Sequence, residues 1–196
     1  MEHFYQNIKG AEASFTFPNL YRKMIENARD GGSICEVGVW RGASLAFLAA
    51  EAQRKNLTVV GVDYFAGMGP WGSADPQKQV LKRWRREEAE TPQWNLIREN
   101  MAPAWDSIVI VKALSHQAAS FFKDGQFDGV MIDADHSYEA CAKDIRAWLP
   151  KVREGGILAG HDYQGEFPGV DKAVNEWAEE TGRTIESGEL CWWTQL

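Results

Sequence analysis

The chain has 196 residues, 44% of them hydrophobic and 25% charged, a balance that fits one globular domain with a sizeable core and excludes wholesale disorder. Its formal net charge of −7 opposes the backbone of a nucleic acid unless a local basic patch intervenes, so small molecules are the expected partners. Cys35, Cys141 and Cys191 stand far apart with no CxxC pair, which argues for reduced thiols and a cytoplasmic protein.

"FPNLYRKMIENARDGG" spaces Leu20, Met24, Ile25 and Ala28 as a helix does and stops at Gly31 and Gly32. "SICEVGVW" reads as the first strand and "ASLAFLAAEAQRK" as a helix behind it. "LTVVGVDY" is a second strand, almost wholly apolar, of the kind a parallel sheet buries on both faces. Residues 65–92 then break the rhythm, and "AGMGPWGSADP" followed by "QKQVLKRWRREEAE" predicts a lid-like insertion into a single domain spanning 1–196. Trp71, Trp84 and Trp94 can stack on an aromatic or sugar substrate, or pack a lid or a subunit interface, which leaves a homo-oligomer open. The interleaved charges around "KRWRRE" favour a solvated helix face over a nucleic-acid site.

"TPQWNLIRENM" predicts the next covering helix, with Thr91 as cap and Pro92 at its first position. "SIVIVKAL" is the third strand, "SHQAASFF" a short helix and "FDGVMIDAD" the fourth strand. "SYEACAKDIRAWLPKV" is a helix capped by Ser137, whose face carries Tyr138, Cys141, Ile145, Trp148, Leu149 and Val152. "GGILAGHDY" supplies a fifth strand, "GVDKAVNEWAEETG" a further helix and "RTIESGELCWWTQL" a closing pair of strands. Five strand–helix repeats predict a doubly wound α/β sandwich, in which ligands bind outside the carboxyl ends of the strands. No apolar run approaches the roughly 20 residues of a membrane helix and no signal-peptide pattern is seen, so no membrane partner is expected.

The polar residues gather at those strand ends. "EVGVWRGAS" places Gly38 and Gly42 around a turn into a helix, where glycine lets the backbone approach a ligand and free amides suit an anionic group; a tight turn alone is the alternative. The spacing is GxxxG rather than the GxGxxG of dinucleotide enzymes, which counts against an NAD-dependent oxidoreductase. Asp63, 21 positions after Gly42, can accept hydrogen bonds from both hydroxyls of a ribose, and with the glycine turn it favours a nucleoside-containing ligand. Tyr64 and Phe65 can cover a base or pack in the core.

Together "EVGVWRGAS", "VVGVD" and "FDGVMIDADHSY" resemble the class I S-adenosyl-L-methionine-dependent methyltransferases over residues 33–163. Within that superfamily the chain is similar to the metal-dependent small-molecule O-methyltransferases, including the macrocin and mycinamicin sugar methyltransferases and the cephalosporin-hydroxylase-like group. The resemblance implies a Rossmann-like sheet of seven strands with the last antiparallel. It implies that Glu36, Gly38 and Gly42 surround the methionine part of the cofactor, that Asp63 holds its ribose, and that Ser115 and His116 of "ALSHQ" face its adenine, where catechol-type enzymes present Ser-Gln. Asp133 is counted with the cofactor residues as well as with the metal ligands.

The same resemblance implies one Asp on strand four, a histidine three positions on as base, and a pair after strand five, falling on Asp133, His136, His161 and Asp162. A neutral alcohol is a poor nucleophile for in-line attack on a sulfonium methyl, so a divalent cation that lowers the hydroxyl pKa and a base that takes the proton both help. Strands four and five are neighbours in such a fold, which would bring Asp133 and Asp162 together across 29 positions. His161 stands where the family commonly has a carboxylate. Magnesium or manganese is the family's expectation, and the imidazole shifts the balance toward manganese, iron or zinc. A triad of Asp133, His136 and His161, as in non-haem iron enzymes, and a helix-capping role for the histidines are the rival readings. Asp135, which strand alternation points away from its neighbours, reads as a surface acid. The expected function is metal-assisted O-methylation of a small hydroxylated acceptor, a sugar or natural product, with His136 as base and Asp133, His161 and Asp162 as ligands. A metal-independent methyltransferase and a non-catalytic S-adenosylmethionine-binding module are the alternatives.

Overall fold

The computed structural model describes residues 4–9, 15–65 and 93–196. In chain order its main elements are α1 (Pro18–Asn27), β1 (Ser33–Val37), α2 (Ala43–Ala52), β2 (Thr58–Asp63), α3 (Gln93–Asn100), β3 (Ile108–Lys112), α4 (Ser115–Ala118), β4 (Phe127–Ile132), α5 (Tyr138–Trp148), β5 (Val152–Gly160), α6 (Pro168–Thr181), β6 (Glu186–Gly188) and β7 (Cys191–Gln195). The predicted insertion, with Trp71, Trp84, Thr91 and Pro92, lies outside the described residues apart from its first position, Phe65.

Alternation along the strands decides the layers. Ile34 of β1, Met131 of β4 and Ile157 and Ala159 of β5 pack with α1 and α2, among Leu20, Met24, Leu45 and Leu48. Their neighbours Cys35, Val37, Val130, Ile132 and Leu158 pack on the opposite side with Cys141, Ile145 and Trp148 of α5 and Val174 and Trp177 of α6. A side-chain period of two therefore buries both faces of one sheet. The strand order is β3-β2-β1-β4-β5-β7-β6. β1 to β5 run parallel, and β7 runs antiparallel to both of its neighbours. This is the doubly wound seven-stranded sheet that the sequence led us to expect, with its topological switch between β1 and β4. Among the described residues no helix is long and apolar enough to cross a membrane.

One boundary differs from expectation. Val152, assigned above to the face of α5, instead opens β5, because the helix ends at Trp148 and a single 3-10 turn over Leu149–Lys151 follows. Pro150 lacks the N–H that a further α-turn requires, so the chain leaves the helix there.

At the amino ends of the strands a single carboxylate ties the layers. Asp128 is fully buried and accepts from the Arg29 backbone N–H at 3.2 Å, Arg29 Nε at 2.8 Å, Ser33 N–H at 2.9 Å and Arg153 Nε at 2.6 Å. Burial alone would raise its pKa, but the donors from Arg29 and Arg153 outweigh burial and hold it below the usual carboxylate range. Asp128→Asn is expected to lower unfolding stability by about 2 kcal/mol, measured by urea denaturation, because it leaves two guanidinium groups short of their partner. The stabilisation by Asp128 is fully present above about pH 4 and is lost as the pH falls toward the depressed folded value.

Candidate active site

The turn after β1 is held in place from three sides. Asp63, at the end of β2, accepts from the backbone N–H of Val39 at 2.9 Å, Trp40 at 2.8 Å and Phe65 at 2.7 Å. Burial lifts its pKa, and these amide bonds offset only part of that rise. From α3, Gln93 Nε2 donates to the Trp40 carbonyl at 2.8 Å and Asn100 Nδ2 to the Arg41 carbonyl at 2.8 Å. Asp63 thus uses both oxygens within the protein, on turn amides that precede the opening of α2 at Ala43.

The glycines serve the same packing. Gly38 has φ of +96°, and a Cβ there would run into the Asp133 carbonyl, so only glycine lets the exit of β1 lie against the exit of β4. Gly42, with φ of +87°, starts α2; a Cβ would sit 2.5 Å from Ile97 Cδ1 and 2.9 Å from Met101 Cε. Glu36 is buried and accepts from the Tyr21 hydroxyl at 2.6 Å and from Ser44 Oγ at 2.6 Å, tying α1 and α2 to β1. Burial pushes its carboxyl up to about 8, against the pull of those two hydroxyls.

Four residues converge where β4 and β5 end. The pairing Ile132↔Gly160 continues past both strands as the His161 N–H donates to the Ile132 carbonyl at 3.0 Å, and on the other side of β4 the Asp133 N–H donates to the Val37 carbonyl at the end of β1 at 2.7 Å. His136 Nε2 lies 2.8 Å from Asp162 Oδ2 and 3.5 Å from Asp133 Oδ1. His161 Nδ1 lies 3.4 Å from Asp162 Oδ1 and 3.8 Å from Asp133 Oδ1. Ligand atoms of Asp133, His136 and Asp162 all fall within 4.8 Å of one another, so among the described residues it is His136 rather than His161 that forms with the two aspartates a compact group able to hold a metal ion.

Charge balance shapes this cluster. Burial lowers the pKa of each histidine, but the two aspartates more than compensate and raise His136 to about 9 and His161 to about 10. Burial raises the two carboxyls, and the histidines reverse it, leaving Asp133 and Asp162 below the usual range. Aromatic rings back both imidazoles: Phe167 stacks on His136 with centroids 4.2 Å apart, and Phe17 packs on His161 at 4.6 Å. The His161 Nε2 atom is buried with no hydrogen-bond partner among the described residues, so that ring is satisfied from its Nδ1 side only. Asp162 has φ of +60°, a left-handed conformation that aspartate tolerates better than most residues.

The other expected residues are placed less centrally. Asp135 is exposed and accepts from the Ser137 N–H at 2.8 Å, while Ser137 caps α5. Ser115 turns its hydroxyl to Asp144 and His116 is exposed. Tyr64 is exposed, and Phe65 is buried against Trp94 at 5.1 Å.

Phe17, Tyr21, Phe167 and Asp144 were not singled out from the sequence. Nor was Glu189, in the β6–β7 turn, whose carboxylate accepts from Asn19 N–H at 3.2 Å, Leu20 N–H at 3.4 Å and Asn19 Nδ2 at 2.6 Å. It caps α1, whose own N-cap residue, Phe17, makes no side-chain cap. The adjacent Leu190 carbonyl accepts from the Tyr163 N–H at 2.9 Å, so one turn supports both α1 and the loop that carries Asp162.

The family model for "Methyltransferase domain" matches residues 35–163, about two thirds of the chain and the whole span from β1 to the loop after β5. The chain belongs to that family. Its sheet order, with β7 antiparallel, is the fold of the class I methyltransferases. It is 26% identical over 170 residues to the uncharacterised protein R132 of Acanthamoeba polyphaga mimivirus, a match that takes in 81% of this chain but 66% of R132, just under two thirds of that relative's length. Among solved structures it is similar to the O-methyltransferase NovP, with a TM-score of 0.63 and 20% identity over 91% of this chain and 78% of NovP. It is also similar to CalS11, a TDP-rhamnose 3'-O-methyltransferase of calicheamicin biosynthesis, with a TM-score of 0.59 and 14% identity over 96% of this chain and 81% of CalS11.

Two outcomes test this geometry. Gly38→Ala is expected to destabilise the protein by about 2 kcal/mol or more, seen as a lowered thermal midpoint, because both its φ and the Asp133 carbonyl exclude a Cβ. In chelator-treated protein the histidine contribution to stability is fully present below about pH 6.5 and lost as the pH rises through 9 and 10, since both folded pKa values lie above the unfolded one. A thermal midpoint that stays flat from pH 7 to 10.5 would contradict the ion pairing.

Proposed function

We propose that this methyltransferase moves the methyl group of S-adenosylmethionine to a hydroxyl of a small acceptor, a sugar or natural product, with the help of a divalent cation. The observation that carries the reading is the convergence of Asp133, His136, His161 and Asp162 at the carboxyl ends of two adjacent strands, beside the turn after β1. The donor set suits a cation: two carboxylates held ionised, with imidazole nitrogen at hydrogen-bonding distance. When bound there, such an ion would lower the pKa of a coordinated acceptor hydroxyl and fix its direction. That the fold relatives NovP and CalS11 are named O-methyltransferases, one of them acting on a nucleotide sugar, supports a hydroxyl acceptor.

The residues divide the work as follows. Asp133, His161 and Asp162 would hold the cation, and His136 would take the acceptor proton. His136 keeps its own proton strongly while the two carboxylates face it, so relieving that attraction is what frees Nε2 to accept. Phe167 holds the ring flat against one face and restricts its rotation. Glu36, Gly38, Gly42 and Asp63 shape the cofactor's methionine and ribose ends, the carboxyls through rigid placement by Tyr21, Ser44 and the turn amides.

A second assignment is favoured by the compactness of Asp133, His136 and Asp162, which makes His136 a ligand and leaves His161 as support. His136→Asn separates the two. As base, its loss lowers kcat about 10²- to 10⁴-fold with manganese affinity unchanged by calorimetry; as ligand, its loss removes manganese binding as well. For the cation itself, exhaustive EDTA treatment is expected to stop release of S-adenosylhomocysteine across a panel of hydroxylated acceptors, with manganese restoring it. Full turnover after chelation would remove the metal from the mechanism.

A further inference from the structure

Asp144 is a buried acid that the proposed reaction does not use. It lies on α5, is 1% exposed, and both of its oxygens contact one hydroxyl, Ser115 Oγ, at 2.6 and 2.7 Å. The Trp148 indole N–H fixes the same residue by donating to the Ser115 carbonyl at 3.2 Å. Two residues earlier, the Ala113 N–H donates to the Asp63 carbonyl at 3.0 Å, which sets the start of α4 beside the end of β2, where the nucleoside is expected.

The chemistry of the pair is directional. A hydroxyl has one proton to give and two lone pairs to offer, whereas an ionised carboxylate can only accept. Burial pushes the Asp144 carboxyl up to about 6, with the Ser115 bond and Lys143 pulling it down and Asp135 pushing it further up, so it is ionised above neutral pH. The Ser115 proton is therefore committed inward. What the hydroxyl presents outward is a lone pair, a group that accepts from N–H and repels a carbonyl oxygen. Adenine offers an exocyclic amine as donor, whereas the 6-oxo purine offers an acceptor at the same place.

We propose that Asp144 is a positioning residue of the cofactor site: by taking the Ser115 proton it fixes Ser115 as an acceptor for the exocyclic amine of adenine, and so selects a 6-amino over a 6-oxo purine. This rests on the reading of Ser115 as the adenine-side group of an S-adenosylmethionine site. A purely structural Asp144 would brace α4 against α5 and weaken all ligands alike; a polarising one changes the ratio between two ligands.

The test is titration calorimetry of the full chain at pH 7.5 with S-adenosylhomocysteine and with its deaminated counterpart, S-inosylhomocysteine. The wild type is expected to prefer the 6-amino ligand by about tenfold or more, as for one well-made hydrogen bond against a repulsive pair. Asp144→Asn, which can donate to Ser115 Oγ and free its proton, and Ser115→Ala are each expected to shrink that preference severalfold. Because the ratio is taken on one protein, loss of stability cancels; Asp144→Ser provides the same reading if the asparagine variant does not fold. A preference that persists in the Asp144 variants, or that only one of the two positions controls, overturns the proposal. A wild type that binds S-adenosylhomocysteine without discrimination overturns it while leaving the cofactor site standing. A wild type that binds neither ligand brings down the cofactor reading and this inference with it.

Discussion

Parallel pairing of β4 with β5 in one register is the constraint on which the site depends. Ile132 opposite Gly160 fixes where each strand ends, and the His161 amide bonded to the Ile132 carbonyl carries the alignment one residue further. A slip of one residue would turn every side chain of one strand to the other face of the sheet and part Asp133 from His161, the positions that follow this pair. The register in turn depends on small residues. Gly38 lets β1 crowd against the end of β4, and at Gly160 a Cβ would meet the Trp192 indole at the Nε1 edge, so β7 can close over β5 only with glycine there.

Backbone strain is concentrated at the same end of the sheet. Seven described non-glycine residues have positive φ, and six of them, Trp40, Phe65, Asp162, Gln164, Glu189 and Leu190, lie in turns at the carboxyl ends of β1, β2 and β5 or in the hairpin beside them. Such conformations disfavour folding by roughly 1–3 kcal/mol each unless their surroundings enforce them. Here the enforcing contacts are visible: Asp63 grips the amide of Trp40, Asp171 Oδ1 accepts from the Gln164 N–H at 2.6 Å, and the Glu189 carboxylate is tied to α1. Side-chain hydrogen bonds from Asp63, Asp171 and Glu189 thus hold these turns.

Much of this was legible in the sequence. Each strand of the main sheet is a short apolar run bounded by glycine, proline or charge, and each ends in the polar residues that gather at one rim. Asp133, His136, His161 and Asp162 could be brought together because strands four and five are neighbours in the fold that the chain resembles, as they are here. The partners of the cofactor residues were not legible, since hydrogen bonds such as Asp63 to Val39 and Trp40 depend on the path of a turn rather than on its composition. Phe17 and Phe167 each precede a helix-opening proline, and nothing local says that their rings cover histidines. For Asp144 there was a signal: it is three residues after Cys141 and four before Trp148, an acid on an apolar helix face, which calls for a buried partner. Val152 was misplaced because hydrophobic periodicity continues past Pro150 although the helix does not.

The Glu189 cap has a consequence for how the molecule is made. Asn19 and Glu189 are 170 positions apart, so the first turn of α1 receives its cap only once the last hairpin has formed. Contacts of such long separation carry a large loop-closure entropy and are late events in folding. During synthesis α1 emerges well before the hairpin that caps it, and so does the Phe17 ring that lies against His161. Helix α1 and the β6–β7 hairpin thus act as a latch across the sheet, and the histidine–aspartate cluster gains its full support only when that latch shuts.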